Sequence, residues 1–189
     1  MRRAIALSIT SGERGEYPYA AVIARNGEFV CESINRVAMD HDVTRHAEVV
    51  AISEAQKVLH TTSLDDCTIY VNAEPCALCC YGIRESRIGR VFYGLRSPLM
   101  GGHTRWNILA DTILSDKMPE VFAPPPEIAA GFLRDACKDA LATHQRLAWN
   151  FISARGIFDA GATNERPHGL WQRTSALIRR AFFDRFGRR

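Results

Sequence analysis

The chain lacks several features that would assign it to a common class. It has no long apolar run: the longest stretch, Tyr19 to Ala24, is six residues, against the ~20 needed to cross a bilayer as a helix. A membrane span is therefore not expected, and no membrane partner is assigned. Charge of one sign is also scarce. Lys and Arg number 24 and Asp and Glu 21, and residues 170–189 alone carry six Arg against one Asp, leaving 18 basic and 20 acidic residues before them, a balance of −2. Such a body is not a nucleic-acid binder by composition; only the tail has basic character. There are no internal repeats. Nor do the six cysteines suit disulfides, since Cys76, Cys79 and Cys80 fall within five positions, poor geometry for bridging distant segments. Reduced thiols and a metal fit better, which predicts a cytoplasmic location. Met1-Arg2-Arg3 with "AIALSI" begins like a secretory signal, but Glu13, Arg14 and Glu16 follow before any good cleavage site, so secretion is not expected.

What is present suits one domain with peripheral additions: 189 residues, 47% hydrophobic, enough for a sizeable core. Residues 1–12 predict a short helix. Asn26-Gly27 between runs rich in Val, Ile and Phe predicts a hairpin with strands near 18–25 and 28–36. Val49, Val50, Ile52, Ala55 and Val58 recur at helical spacing, with Thr44 as N-cap and His46 in the first turn. "CTIYV" (67–71) and "GRVFYGL" (89–95) predict buried strands, and Pro75 starts a helix that ends near Arg87. Alternation of this kind predicts an α/β domain of three layers, helices on both faces of the sheet. The segment 95–120 resists assignment, and "APPPE" precedes an amphipathic helix expected from Ile128 to Ala148. We expect a domain over 1–150 and a C-terminal extension over 151–189 carrying a basic amphipathic helix. Its stripe of Trp171, Ile178, Ala181, Phe182 and Phe186 suits packing or dimerisation better than RNA contact or membrane association.

Chemistry concentrates in "RHAEVVAIS" and "NAEPCALCCYG". Cys76 and Cys79, at i and i+3 of a helix start, project from one face, where exposed amides favour thiolates. One His and two Cys make a tetrahedral zinc site with its fourth position open, the arrangement of catalytic rather than structural zinc. Glu48, two residues from His46, cannot share its face and is expected beside the metal as a proton carrier. Two other readings stand alongside. Cys76-x-x-Cys79 and His46 are each common as ordinary buried residues, and Cys80 with Cys76, Cys79 and His46 makes a closed Cys3His staple, which suits a non-enzymatic binding or assembly module.

His-x-Glu followed by Pro-Cys-x-x-Cys, together with "NGEFVCESINRV", "KVLHTTSLDDCTIYVNAEPCALC" and "SRIGRVFYG", resembles the cytidine deaminase-like superfamily over roughly Met1 to Leu95. "SLDDC" is similar to bacterial guanine deaminases and "SRIGRVFYG" to tRNA adenosine deaminases. The resemblance implies a mixed five-stranded sheet between helices and a hydrolytic deaminase with one zinc ion per chain, held by His46, Cys76 and Cys79, with Glu48 as the catalytic proton shuttle. It further implies substrate binding by Asn35 and by the backbone at Ala47 and Glu74, and a homodimer or larger homo-oligomer. The substrate expected is a small amino-heterocycle of the guanine type, with tRNA adenosine as the alternative. Two departures bear on the substrate. "PYAAV" puts Ala20 where relatives have a pocket-wall glycine, which predicts a narrower site. "LRSPLMGGHTRWNIL" lacks an evident acidic residue but offers His103 and Trp106 as a donor and a stacking ring for a planar base.

Overall fold

The computed structural model describes residues 1–158; the predicted tail helix and its stripe from Trp171 to Phe186 lie outside the described residues. The sheet grows from a hairpin. Asn26 and Gly27 both adopt positive φ, 51° and 86°, the two left-handed positions that a tight hairpin turn matching strand twist demands. The turn joins strand β1 (Ala20–Arg25) to β2 (Glu28–Ile34). β1 pairs antiparallel with β3 (Cys67–Ala73), which runs parallel to β4 (Arg90–Leu95), itself parallel to β5 (Glu127–Ala130), giving the order β2-β1-β3-β4-β5.

The expected three layers are present. On one face lie the helices α3 (Ala47–Leu59) and α4 (Ala77–Glu85), burying Ala51, Ile52, Ala55, Cys80 and Ile83 against Ile23, Ile69, Val71 and Val91. On the other, α1 (Arg2–Glu13) packs on β1 to β3 and on α6 (Arg134–His144). Short α2 (Val37–Asp40) and α5 (Thr112–Lys117) interrupt connections, and α7 (Arg146–Ala154) runs across the domain boundary expected at residue 150. No helix among the described residues is long and apolar enough to cross a membrane.

One element departs from expectation. The single helix predicted over 128–148 is instead β5 followed by α6 and α7. Three prolines force extended backbone just before Glu127. Gly131 and Leu133 then take positive φ, 78° and 54°, breaking any helix before α6, and Ile128 to Ala130 find better partners on the open edge of β4.

The long β4–β5 connection is held by two buried charges. Arg84 of α4, only 1% exposed, donates to the carbonyls of Ile108 and Asp111 (each 2.9 Å), to Ser115 Oγ (2.6 Å) and to Ala123 O (2.9 Å). Glu74, after β3, accepts from Ser97 N (2.6 Å), His103 N (3.1 Å), Thr104 N (2.6 Å) and Thr104 Oγ1 (2.9 Å). Glycine is required where this connection meets the β3–α4 turn. A Cβ on Gly101 would stand 2.1 Å from the pinned Glu74 carboxylate, and one on Gly102 would lie 2.4 Å from Cys80 Sγ and 2.9 Å from Cys76 O.

Candidate active site

The site lies at the C-terminal end of β3, where the chain leaves the sheet through Glu74-Pro75-Cys76 and the start of β1 is its neighbour. Ligands of open α/β sheets gather at this end of the strands. Two helices begin here. His46 is the N-cap of α3, with φ −64° and ψ 149°, and Cys76 is the N-cap of α4, with φ −71° and ψ 177°. His46 thus stands one position outside the helix rather than in its first turn. Thr44, expected as the cap, sits in a turn and is bonded to Asp42 (2.8 Å). An N-cap side chain ordinarily accepts from an amide of its own helix. Neither His46 nor Cys76 does so; both turn to a common point.

At that point His46 Nδ1 lies 3.5 Å from Cys76 Sγ and 3.4 Å from Cys79 Sγ, and the two sulfurs are 3.6 Å apart. Ligands bound to zinc at 2.0–2.3 Å with tetrahedral angles stand about 3.4–3.8 Å from one another. Three edges of that size, one imidazole and two thiols, fit the metal. Mutual bonding also sorts their protons. The bonds from Cys79 and His46 pull Cys76 down to about 4 against its burial, whereas Cys79, bonded to the Cys76 thiolate and buried, is pushed well up. His46 is raised by its bond to Cys76. Cys80 takes no part: its Sγ donates to Pro75 O (3.4 Å), and burial keeps it a thiol. The closed Cys3His arrangement is therefore not the one observed.

Beside the three lies a small cleft, lined also by Tyr19, Asn35, Glu74, Met100 and Phe158. Glu48, in the first turn of α3 and 6% exposed, lines it. Burial, reinforced by the Cys76 thiolate, lifts its carboxyl to about 7, where a carboxyl both takes and gives a proton near neutrality. Asn35, 2% exposed, also lines the cleft. Its Oδ1 accepts from Val37 N (3.0 Å), leaving Nδ2 to donate to a ligand. Ala47, at the first position of α3, has an amide with no partner inside the helix, but it is fully buried and not among the lining residues.

The other expected binding residues are placed differently. Glu74 lines the cleft, but its amide donates to Leu95 O (2.7 Å) and its carboxylate holds the 97–104 loop, so it shapes the site rather than offering a free donor. His103 and Trp106 are not among the lining residues. Tyr93 Oη holds His103 Nδ1 at 2.8 Å, and Trp106 is 56% exposed under Arg105. Ala20 is fully buried and not in the wall; its neighbour Tyr19 is. Sequence reasoning missed Tyr19, Asn72, Met100, Ile157 and Phe158. Asn72 alone left a trace, as an amide inside an otherwise apolar strand. It fixes the entry to β1, donating to Pro18 O (2.9 Å) and accepting from Ala20 N (3.0 Å).

Residues 1–95, half of the chain, match the family described as the cytidine and deoxycytidylate deaminase zinc-binding region. The chain belongs to this deaminase family. It is 36% identical over 116 residues to the tRNA-specific adenosine deaminase of Aquifex aeolicus, an overlap covering 61% of this chain and 77% of that one. To the guanine deaminase of Bacillus subtilis it is 41% identical over 96 residues, 49% of this chain and 60% of the relative's length. Among solved structures, a tRNA:A34 deaminase studied for A-to-I editing at the wobble position superposes with a TM-score of 0.62 at 29% identity, covering 73% of this chain and 95% of that one. The guanine deaminase of Nitrosomonas europaea shares the fold, with a TM-score of 0.61 at 21% identity over 76% and 81% of the two chains. The protein is thus a zinc-dependent deaminase, a hydrolase of C–N bonds with the mixed five-stranded fold its sequence implied.

Proposed function

We propose that this deaminase hydrolyses a free amino-purine or a related amino-heterocycle to the keto product and ammonia, with His46, Cys76 and Cys79 holding one zinc ion. The observation that carries the reading is Glu48: a carboxyl buried in the cleft wall beside the three ligand atoms. When bound there, zinc acts as a Lewis acid and lowers the pKa of water to about 7. Glu48 accepts a proton from the attacking water and passes it to a ring nitrogen. A second proton goes by the same carboxyl to the departing amine, so that water and the amino compound give carbonyl and ammonia. Asn35 Nδ2 orients the ring by donating to an acceptor on its edge. Ile157 and Phe158, with Met100, wall the cleft in a manner suited to a free base.

A second reading, adenosine in a tRNA, is supported by the likeness to the Aquifex aeolicus enzyme and to the tRNA:A34 deaminase structure. A stem-loop substrate must present its base flipped from the stack. Ammonia release by zinc-loaded protein from guanine, adenine, cytosine, their nucleosides, amino-pterins, amino-triazines and an anticodon stem-loop separates the two. Turnover of a free heterocycle, abolished in Glu48→Gln, is expected; turnover of the stem-loop alone overturns the first reading in favour of the second.

A further inference from the structure

We propose that the hydroxyl of Tyr19 is a further specificity-determining group of this site, donating a hydrogen bond to an acceptor on the substrate ring, either a keto oxygen or an unprotonated ring nitrogen. The inference rests on the deaminase reading above and narrows what its substrate must carry.

Tyr19 is held more firmly than a wall residue needs to be. Asn72 fixes the residues on either side of it, through Pro18 O and Ala20 N, and Tyr19 O accepts from Asn35 N at 2.9 Å. Its ring lies between two others, stacked on Tyr17 at 6.5 Å and edge-on to Phe158 at 6.2 Å and 80°. Phe158 is itself anchored, because Ser97 Oγ donates to the adjacent Ile157 carbonyl at 2.7 Å. Backbone and ring are thus both fixed at a cleft that Tyr19 shares with His46, Glu48 and Cys76.

The hydroxyl has no hydrogen bond among the described residues. Tyr19 is part-buried and its hydroxyl is not sealed from water, so the cleft leaves room for a ligand group to take the place of solvent there. Burial, with the charges of Glu48 and Cys76, keeps the phenol protonated, so it is a donor. Asn35 Nδ2, in the same cleft, is a donor as well. A ring bound between these two donors must present acceptors, and a site built to donate discriminates against an analogue that lacks one.

The test uses the zinc-loaded full chain and two probes without an amino group to lose, hypoxanthine, which carries a keto oxygen, and purine, which carries ring nitrogens only. Calorimetric titration of wild type and Tyr19→Phe compares their dissociation constants, with zinc content and Tm as controls. The substitution removes one oxygen and leaves both ring contacts. One neutral hydrogen bond corresponds to an affinity loss of about 3- to 15-fold. That loss for hypoxanthine alone assigns the keto oxygen, and loss for both probes assigns a ring nitrogen. Equal affinity of the two proteins for both probes, or no binding of either probe to wild type, overturns the proposal. The deaminase reading fails separately, if wild type that binds the probes releases ammonia from none of the amino compounds.

Discussion

The two helix starts of the site are built alike and do different work. α3 and α4 each place a zinc-type ligand at an N-cap in extended conformation, and in each that side chain leaves its own amides uncapped. After the cap they diverge. α3 carries the buried carboxyl of Glu48, the proposed proton carrier, whereas α4 carries Cys79 and leaves Cys80 turned into the core. In the proposed mechanism grip on the metal comes mainly from α4 and proton transfer from α3, so the two should fail separately when broken.

The largest separation is expected between Glu48→Gln and Cys79→Ser. The first should lower kcat by about 10²- to 10⁴-fold, the usual worth of a positioned acid/base, with zinc content unchanged. The second should lose zinc and activity together, as metal analysis beside ammonia release would read. Retained turnover in Glu48→Gln, or retained zinc in Cys79→Ser, would break the division of labour.

A smaller effect sharpens the comparison after chelation. Glu48 is lifted from 4.5 to about 7 in the folded chain. The stability contributed by its protonated form is fully present below pH 4.5 and is lost as pH rises through 7. The stability of metal-free wild type minus that of Glu48→Gln should therefore fall by at most ~3 kcal/mol across that window. The Cys76 thiolate is common to both proteins and largely drops out of the difference. Denaturant unfolding at pH 4.5, 6 and 8 measures it; a flat difference would mean that the carboxyl is not held as the cleft implies. The smallest effect belongs to Cys80→Ser, which should keep its zinc and cost about 1 kcal/mol of stability, read by metal analysis and Tm. Loss of zinc there would return the fourth thiol to the ligand set.

The metal corner was legible because its spacing is local: His-x-Glu and Pro-Cys-x-x-Cys each lie within one helix start, and helical geometry decides which side chains share a face. The hairpin was legible for the same reason, at Asn26-Gly27. The cleft wall was not. Tyr19, Met100 and Phe158 meet only through tertiary structure, and nothing in "PYAAV" reveals that the tyrosine rather than Ala20 faces the ligand. His103 and Trp106 had the right chemistry for a base and the wrong place, because Tyr93 holds one and solvent the other. The fifth strand was misread since Ile128 continues an apolar stripe into α6; Gly131 and Leu133, whose φ values end it, are ordinary residues to a reader of periodicity.

Arg84 suggests why the segment from 108 to 123 carries so little signal of its own. The acceptors it engages there are the main-chain oxygens of Ile108, Leu109, Asp111 and Ala123, and Ser115 alone contributes a side chain. A clamp that grips backbone is indifferent to most of the letters it holds. Side chains whose only tie to the fold is through that backbone are free to vary, while Leu109 in the core and Phe122 against Tyr81 supply the apolar anchors the clamp does not.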